Sequence, residues 1–298
     1  MPIIRTPEER FKNLPDYDFE PNYMNIGECR LHYLDEGEGE VVLCLHGEPS
    51  WSFLYRKMIP ALSKSNRVIA PDFIGFGKSD KFTTMQEYSF QMHRDTLTTF
   101  IEELDLTNIT LVCADWGGLI GLRVASEMPE RFGRLVIMNT GLPTGEGPAG
   151  EGFMQWRTYV ENTPDLPIGQ IMQMAMGDPD VFTPEIMAAY EAPFPDGSYK
   201  AGAQVWPLLV PIKPDDPGAD SMRKARDVFS KWTKPCLVMF SDKDPVTGGG
   251  DVLMRALIPS AKDQPEIVIE GAGHFLQEEN GEELAENILA FMKRAPLE

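Results

Sequence analysis

The stretch Leu111-Val112-Cys113-Ala114-Asp115-Trp116-Gly117-Gly118 limits what this chain can fold into more than any other. A β-rich apolar run, Ile109 to Val112, leads to an acid with small residues two places before and two after it, and a helical pattern follows from Leu119 to Met128. That pattern describes a sharp strand-to-helix turn with Asp115 at its tip, where larger flanking side chains would clash. Taken alone, the stretch fits an ordinary strand–helix turn with an acidic N-cap equally well, so the remaining motifs have to decide.

As a nucleophile, Asp115 restricts the chemistry. A carboxylate attacking an ester would form a mixed anhydride higher in energy than the substrate. It can instead displace a leaving group from a saturated carbon, forming an ester with the enzyme that water must then hydrolyse with help from a His base.

The rest of the chain alternates strand and helix. Strand-like runs lie at Asn22–Ile26, Cys29–Leu34, Val41–Leu45, Arg67–Ala70, Leu135–Met138, Cys236–Phe240 and Glu266–Ile269, after a polar arm over residues 1–20. Helical patterns cover Phe53–Leu62, 86–104 and 280–293. Val41–Leu45 is apolar throughout, as in a strand buried on both faces. From Pro143 to about Val228 the chain is rich in Pro, Gly, Met and aromatic residues and lacks buried-strand patterns. The expectation is an α/β fold: a core from 1–142 and 229–298, with a mostly parallel central sheet and helices on both faces, and an inserted helical cap over 143–228. An insertion after the sixth strand lies over the carboxyl ends of the strands, where ligands bind in open α/β sheets.

A net charge of −19 argues against nucleic acid or anionic membrane as partners, and means that any halide or carboxylate site needs local donors. The four cysteines sit in apolar runs without CxxC spacing and read as buried free thiols. With no apolar run near the ~18 residues of a spanning helix, a cytoplasmic protein is the expectation, and separately a monomer.

Of four histidines, His32 and His46 read as structural, and His93, within a long helix, as surface or packing. His274, in Gly271-Ala272-Gly273-His274-Phe275, follows the last strand in a loop whose glycines let the ring reach the elbow, which makes it the expected base. Ser241-Asp242-Lys243-Asp244-Pro245 offers two acids to orient it, and Asp244, further into the loop, is preferred over Asp242. Asn139-Thr140, before the insertion, offers no competing carboxylate. The order Asp115, Asp244, His274 is that of the α/β-hydrolases. A departing halide needs N–H donors: Trp116 follows the nucleophile and Trp156 lies in the insertion, while Trp51, Trp206 and Trp232 are left to packing. The backbone N–H groups of Trp116 and Glu48 are the expected oxyanion hole, with the Glu48 side chain placed to help hold the attacking water.

Together with the 10–17 stretch, His46-Gly47-Glu48-Pro49-Ser50-Trp51, Tyr55-Arg56-Lys57-Met58, the loop 72–80, the DWGG run at 115–118 and the GAGHFLQE run at 271–278, the chain resembles the haloalkane dehalogenases of the α/β-hydrolase superfamily over nearly its whole length. Glu48 and the acid after the later strand are similar to the branch typified by the dichloroethane-degrading enzyme. The resemblance implies a small apolar halogenated substrate, halide held by Trp116 and Trp156, and no cofactor or metal. Epoxide hydrolase is the nearest rival, and would use paired cap tyrosines drawn from Tyr159, Tyr190 and Tyr199. A non-catalytic ligand-binding homologue would show a degraded triad, whereas all three positions are filled here. Met154, Met172, Met174 and Met176 either line an adaptable pocket or pack in the core.

Overall fold

A computed structural model describes residues 2–297. Its main sheet has eight strands: β1 (Asn22–Ile26), β2 (Cys29–Glu36), β3 (Glu40–Leu45), β4 (Asn66–Pro71), β5 (Ile109–Ala114), β6 (Phe132–Met138), β7 (Cys236–Ser241) and β8 (Ile267–Ile269). They lie in the order β8-β7-β6-β5-β3-β4-β2-β1. β2 runs antiparallel to both its neighbours, and every other pairing is parallel. Every residue of β5, β6 and β7 is buried, as expected for parallel strands covered on both faces.

The helices are α1 (Ile59–Leu62), α2 (Phe90–Glu103), α3 (Asp115–Glu127), α4 (Glu151–Asn162), α5 (Ile168–Met174), α6 (Pro184–Glu191), α7 (Ala201–Leu209), α8 (Ala219–Phe229), α9 (Gly250–Leu257) and α10 (Leu276–Arg294). Strand alternation divides the core into two layers. Leu43, Leu45, Leu111 and Cys113 pack with residues of α2, α3 and α8. Val42, Cys44, Val112 and Ala114 pack with residues of α1 and α10. No helix among the described residues is long and apolar enough to cross a membrane.

Several boundaries differ from the sequence pattern for local reasons. α2 starts at Phe90 rather than near 86, because the Ser89 side chain accepts the Met92 amide as an N-cap. The expected helix over Phe53–Leu62 is a 3₁₀ turn at Ser52–Tyr55 followed by the short α1, whose first turn contains Pro60. α10 begins at Leu276, before the expected 280, and kinks at Asn280. All four cysteines are free and buried, and burial raises the thiols of Cys44, Cys113 and Cys236. His93 is not a surface residue: it is fully buried, accepting the Trp206 indole N–H at 2.6 Å.

Between β6 and β7 the described residues form helices α4 to α8 without strands. This segment is tied to the core by buried polar contacts. Glu278 holds Arg56 through two hydrogen bonds of 2.6 Å and accepts the Tyr190 hydroxyl of α6 at 2.7 Å. The N-terminal arm reaches the same place, with Thr6 Oγ1 donating to Pro193 O and the Arg10 guanidinium to Ala192 O.

Candidate active site

β5 delivers Asp115 to the first position of α3 in the left-handed region, at φ +48°. A non-glycine residue there is strained and needs support. The strand end of β6 supplies it: Asp115 N donates to Asn139 O at 2.9 Å, and Thr140 Oγ1 donates to Asp115 O at 2.7 Å. The turn also needs two close approaches. A Cβ at Gly47 would collide with the Asp115 carboxylate, and one at Gly117 with the Leu45 carbonyl.

His274 follows β8 and turns its ring to Asp115, with Nε2 3.4 Å from Asp115 Oδ2. Its Nδ1 lies 2.9 Å from Asp244 Oδ2. Asp244 is fixed in turn by the Val246 amide at 2.8 Å and by the Thr247 hydroxyl. Asp242 accepts the Gly271 amide at 2.7 Å, supporting the loop rather than the ring. Of the other histidines, His32 bonds Asp72, and His46 lies between Gly47 O and the Phe73 amide, as structural residues.

Burial alone would push the His274 imidazole down, but the Asp244 and Asp115 carboxylates outweigh it and hold the ring well above its ordinary value. Burial works the other way on Asp244, yet the facing His274 charge and the hydrogen bonds bring its carboxyl to about 2. Asp244 is thus a permanent anion at neutral pH and keeps the His274 Nδ1 proton pointed at itself. Burial, and secondarily the Asp115 charge, lift the Glu48 carboxyl well above the usual range. Glu48 N donates to Asp115 Oδ1 at 2.7 Å, and Glu48 Oε1 is buried without a hydrogen-bond partner among the described residues.

These groups meet in a cavity of about 730 Å³, lined by Glu48, Asp115, Trp116, Trp156 and His274 among others. The indoles sort by their partners. Trp51 donates to Ala189 O at 3.2 Å and Trp206 to His93 Nε2, so both serve the packing. Trp232 is buried away from the cavity. Trp116 and Trp156 line the cavity, and neither indole N–H has a hydrogen-bond partner among the described residues. Trp116 is backed by Trp206, with ring centroids 4.7 Å apart. Among the tyrosines between β6 and β7, Tyr159 lines the cavity stacked on Trp156, whereas Tyr190 is committed to Glu278 and Tyr199 is not on the wall. Met174 lies on the cavity wall, while Met172 is fully buried in the core. Among the described residues no group of three or more His, Cys, Asp or Glu is arranged to hold a metal ion.

Three contributors escape the sequence motifs. Asn139, at φ +31°, holds the nucleophile through its carbonyl and the His274 loop through its amide, which donates to Gly273 O at 3.1 Å and His274 O at 3.0 Å. An Asn at a strand end is the one cue, since Asn tolerates the left-handed region. Ala175 O, at the end of α5, accepts the His274 backbone amide at 2.8 Å. Glu279 accepts the amides of Gly273 at 2.7 Å and Gly177 at 3.0 Å, joining base loop and insertion.

The family described as alpha/beta hydrolase fold matches over residues 40–281. A haloalkane dehalogenase of Psychrobacter cryohalolentis is 48% identical, covering 99% of this chain and 100% of its own. One of Mycolicibacterium paratuberculosis is 44% identical, covering 98% and 99%. Among solved structures, the tetrameric haloalkane dehalogenase DpaA of Paraglaciecola agarilytica superposes with a TM-score of 0.91 at 39% identity, covering 97% of this chain and 98% of that one.

Proposed function

As a member of the haloalkane dehalogenases, a family of α/β-hydrolases, the chain hydrolyses carbon–halogen bonds, and we propose that it does so through an alkyl ester on Asp115. Asp115 Oδ1 receives the Glu48 N–H, which leaves Oδ2 free to attack the carbon bearing the halogen. The halide departs into the N–H groups of Trp116 and Trp156. Ester formation removes the negative charge of Asp115. His274, oriented by Asp244, then takes a proton from water as that water attacks the ester carbonyl. The oxyanion forms on Oδ1, beside the Glu48 backbone N–H, with the backbone N–H of Trp116, not its indole, as the second proposed donor. The orphaned Glu48 Oε1 suits a hydrogen bond to the attacking water. Alcohol, halide and a proton leave.

The observation that carries this reading is the Asp115–His274–Asp244 chain of contacts, opening onto a cavity with two unpartnered indole N–H groups. A halide needs donors without acidity, whereas an epoxide oxygen needs a proton from paired tyrosines, and only Tyr159 of the three is on the wall. The test is halide and proton release from brominated and chlorinated alkanes, with an epoxide in parallel. Halide release is the expected result; diol from the epoxide without halide from any alkane would transfer the chain to epoxide hydrolysis.

The charge change at Asp115 gives a pH dependence. Asp115 is one of the two anions that raise His274, so the imidazole falls once Asp115 is esterified, and only its neutral form is a base. Hydrolysis of the ester therefore speeds up as pH rises through the His274 value in the intermediate. Asp244→Asn removes the main raising charge, so the acidic limb of the kcat profile moves to lower pH while the plateau falls by about 10²–10⁴-fold through loss of the oriented base. A limb that stays in place in Asp244→Asn would remove Asp244 from this role.

We further read residues 143–228 as the cap domain, with 1–142 and 229–298 as the core. The protein is read as cytoplasmic and monomeric. Among the described residues, large apolar side chains more than half exposed are Met174, Val252, Leu253 and Val268, few for an obligate interface. The tetramer of the Paraglaciecola relative supplies the alternative, and sedimentation equilibrium separates the two.

A further inference from the structure

We propose that the wall of the catalytic cavity carries a subsite for the anionic end of a halogenated chain, with Arg226 as its cation. The inference rests on the dehalogenase reading and narrows its substrate class to ω-halocarboxylates alongside neutral haloalkanes.

Arg226 projects from α8, is half-buried and lines the same cavity as Asp115 and Trp156. Its Nε is buried without a hydrogen-bond partner, and no carboxylate lies within 4.0 Å of its guanidinium among the described residues. Arg30 and Arg56 also bury an unpartnered Nε, but each pairs its guanidinium with a glutamate, whereas Arg226 has no such partner. Arg157, which helps build the same region, is satisfied by the carbonyls of Pro207 and Leu208 at 2.9 and 3.0 Å. Arg223, one turn before Arg226, donates to Pro214 O at 3.1 Å and faces Glu146 at 3.9 Å. The other arginines also have carboxylate or carbonyl partners, apart from Arg294, which is exposed near the end of α10.

A chain with 46 acidic against 27 basic residues thus leaves one arginine on its cavity wall without a counter-charge. Withdrawing the Nε donor from water without an acceptor is costly, and the two terminal amino groups keep contact with solvent without a hydrogen-bond partner among the described residues. A carboxylate arriving with the substrate would satisfy them, and the planar fork of arginine matches it in two parallel hydrogen bonds. The net negative charge gives such a ligand no long-range help, so a local cation is what an anionic tail would require. The carboxylate of Asp115 is itself more than 4.0 Å from Arg226, so the nucleophile does not serve as its counter-charge. Phe153, Trp156, Ile171 and Val210 supply apolar wall for the intervening chain. At about 730 Å³, the cavity is roomy for a two-carbon substrate and falls in the roughly 300–1,000 Å³ range of sites that take drug-sized ligands. Glu146, also on the wall, is occupied with Arg223.

The test compares kcat/KM for 6-bromohexanoate with that for 1-bromohexane, in wild type, Arg226→Met and Arg226→Lys. The bromoacid/bromoalkane ratio is the readout, so a general loss of activity cancels. The ratio is expected to fall about 10- to 100-fold in Arg226→Met, the range for a hydrogen bond to a charged group, and by less in Arg226→Lys. An unchanged ratio in Arg226→Met overturns the proposal. Should Arg226→Met fail to fold, the wild type decides alone: hexanoate inhibiting 1-bromohexane turnover more strongly than hexanol supports the subsite, and equal or weaker inhibition overturns it. No halide from either substrate with wild type would instead overturn the dehalogenase reading, and this inference with it.

Discussion

His274→Phe releases one equivalent of halide per enzyme and then stops. Asp115 still attacks, because the contacts that position it do not include the imidazole: the backbone of Asp115 is held by Asn139 and Thr140, and Oδ1 by the Glu48 amide. The ester then has no base to activate water. Phenylalanine is close in shape to histidine and already has an aromatic neighbour in Phe275, whose ring lies 4.9 Å from the imidazole. Steady-state turnover falls by at least the 10²–10⁴-fold typical of a positioned general base, and intact-mass spectrometry shows the protein heavier by one alkyl group, located to the peptide containing Asp115. A variant that releases halide without gaining mass would exclude the covalent ester. One that turns over at the wild-type rate would remove His274 from the second step.

Asp115→Asn abolishes the halide burst as well as turnover. The substitution preserves shape. Asparagine tolerates the left-handed backbone that residue 115 adopts, and its amide oxygen can still accept the Glu48 N–H. What disappears is the anionic nucleophile, for which nothing else at the turn substitutes. A fall in kcat/KM of at least about 10⁴-fold follows, on the scale seen when a nucleophile that acts as a unit with its base is removed. Adding His274→Phe to Asp115→Asn should cost nothing further, since the second step is never reached. Halide release from Asp115→Asn near the wild-type rate would mean that water, not the protein, attacks the substrate.

The parts of the site legible in the sequence are those where geometry restricts residue type. Asp115 shows because the turn around it tolerates only small neighbours, and a Cβ at Gly117 would meet the Leu45 carbonyl. His274 shows through the glycines that bend its loop. Asp244 was separable from Asp242 only by depth in the loop, and the structure puts Asp244 on the imidazole and Asp242 on the Gly271 amide. Asn139, Ala175 and Glu279 stayed hidden for a common reason. They act wholly or partly through backbone amides and carbonyls, which every residue carries, so composition and spacing leave no trace of them. The burial of His93 leaves no local cue, because its partner Trp206 lies 113 residues away, outside any local pattern.

The hydrogen bond from the His274 amide to Ala175 O, together with Glu279 bridging Gly177 and Gly273, places the base in register with the helical segment between β6 and β7 as well as with the sheet. Substrate choice and the hydrolytic half of the cycle are then not separable modules. Exchanging this segment for that of a relative, in order to change the range of halides accepted, would also re-seat the imidazole, and changes selected for a new substrate would carry a cost in the rate of ester breakdown. Lineages of such enzymes are expected to diversify along the apolar cavity wall, at positions such as Phe153, Ile171 and Val210, more freely than along the short rail from Ala175 to Gly177.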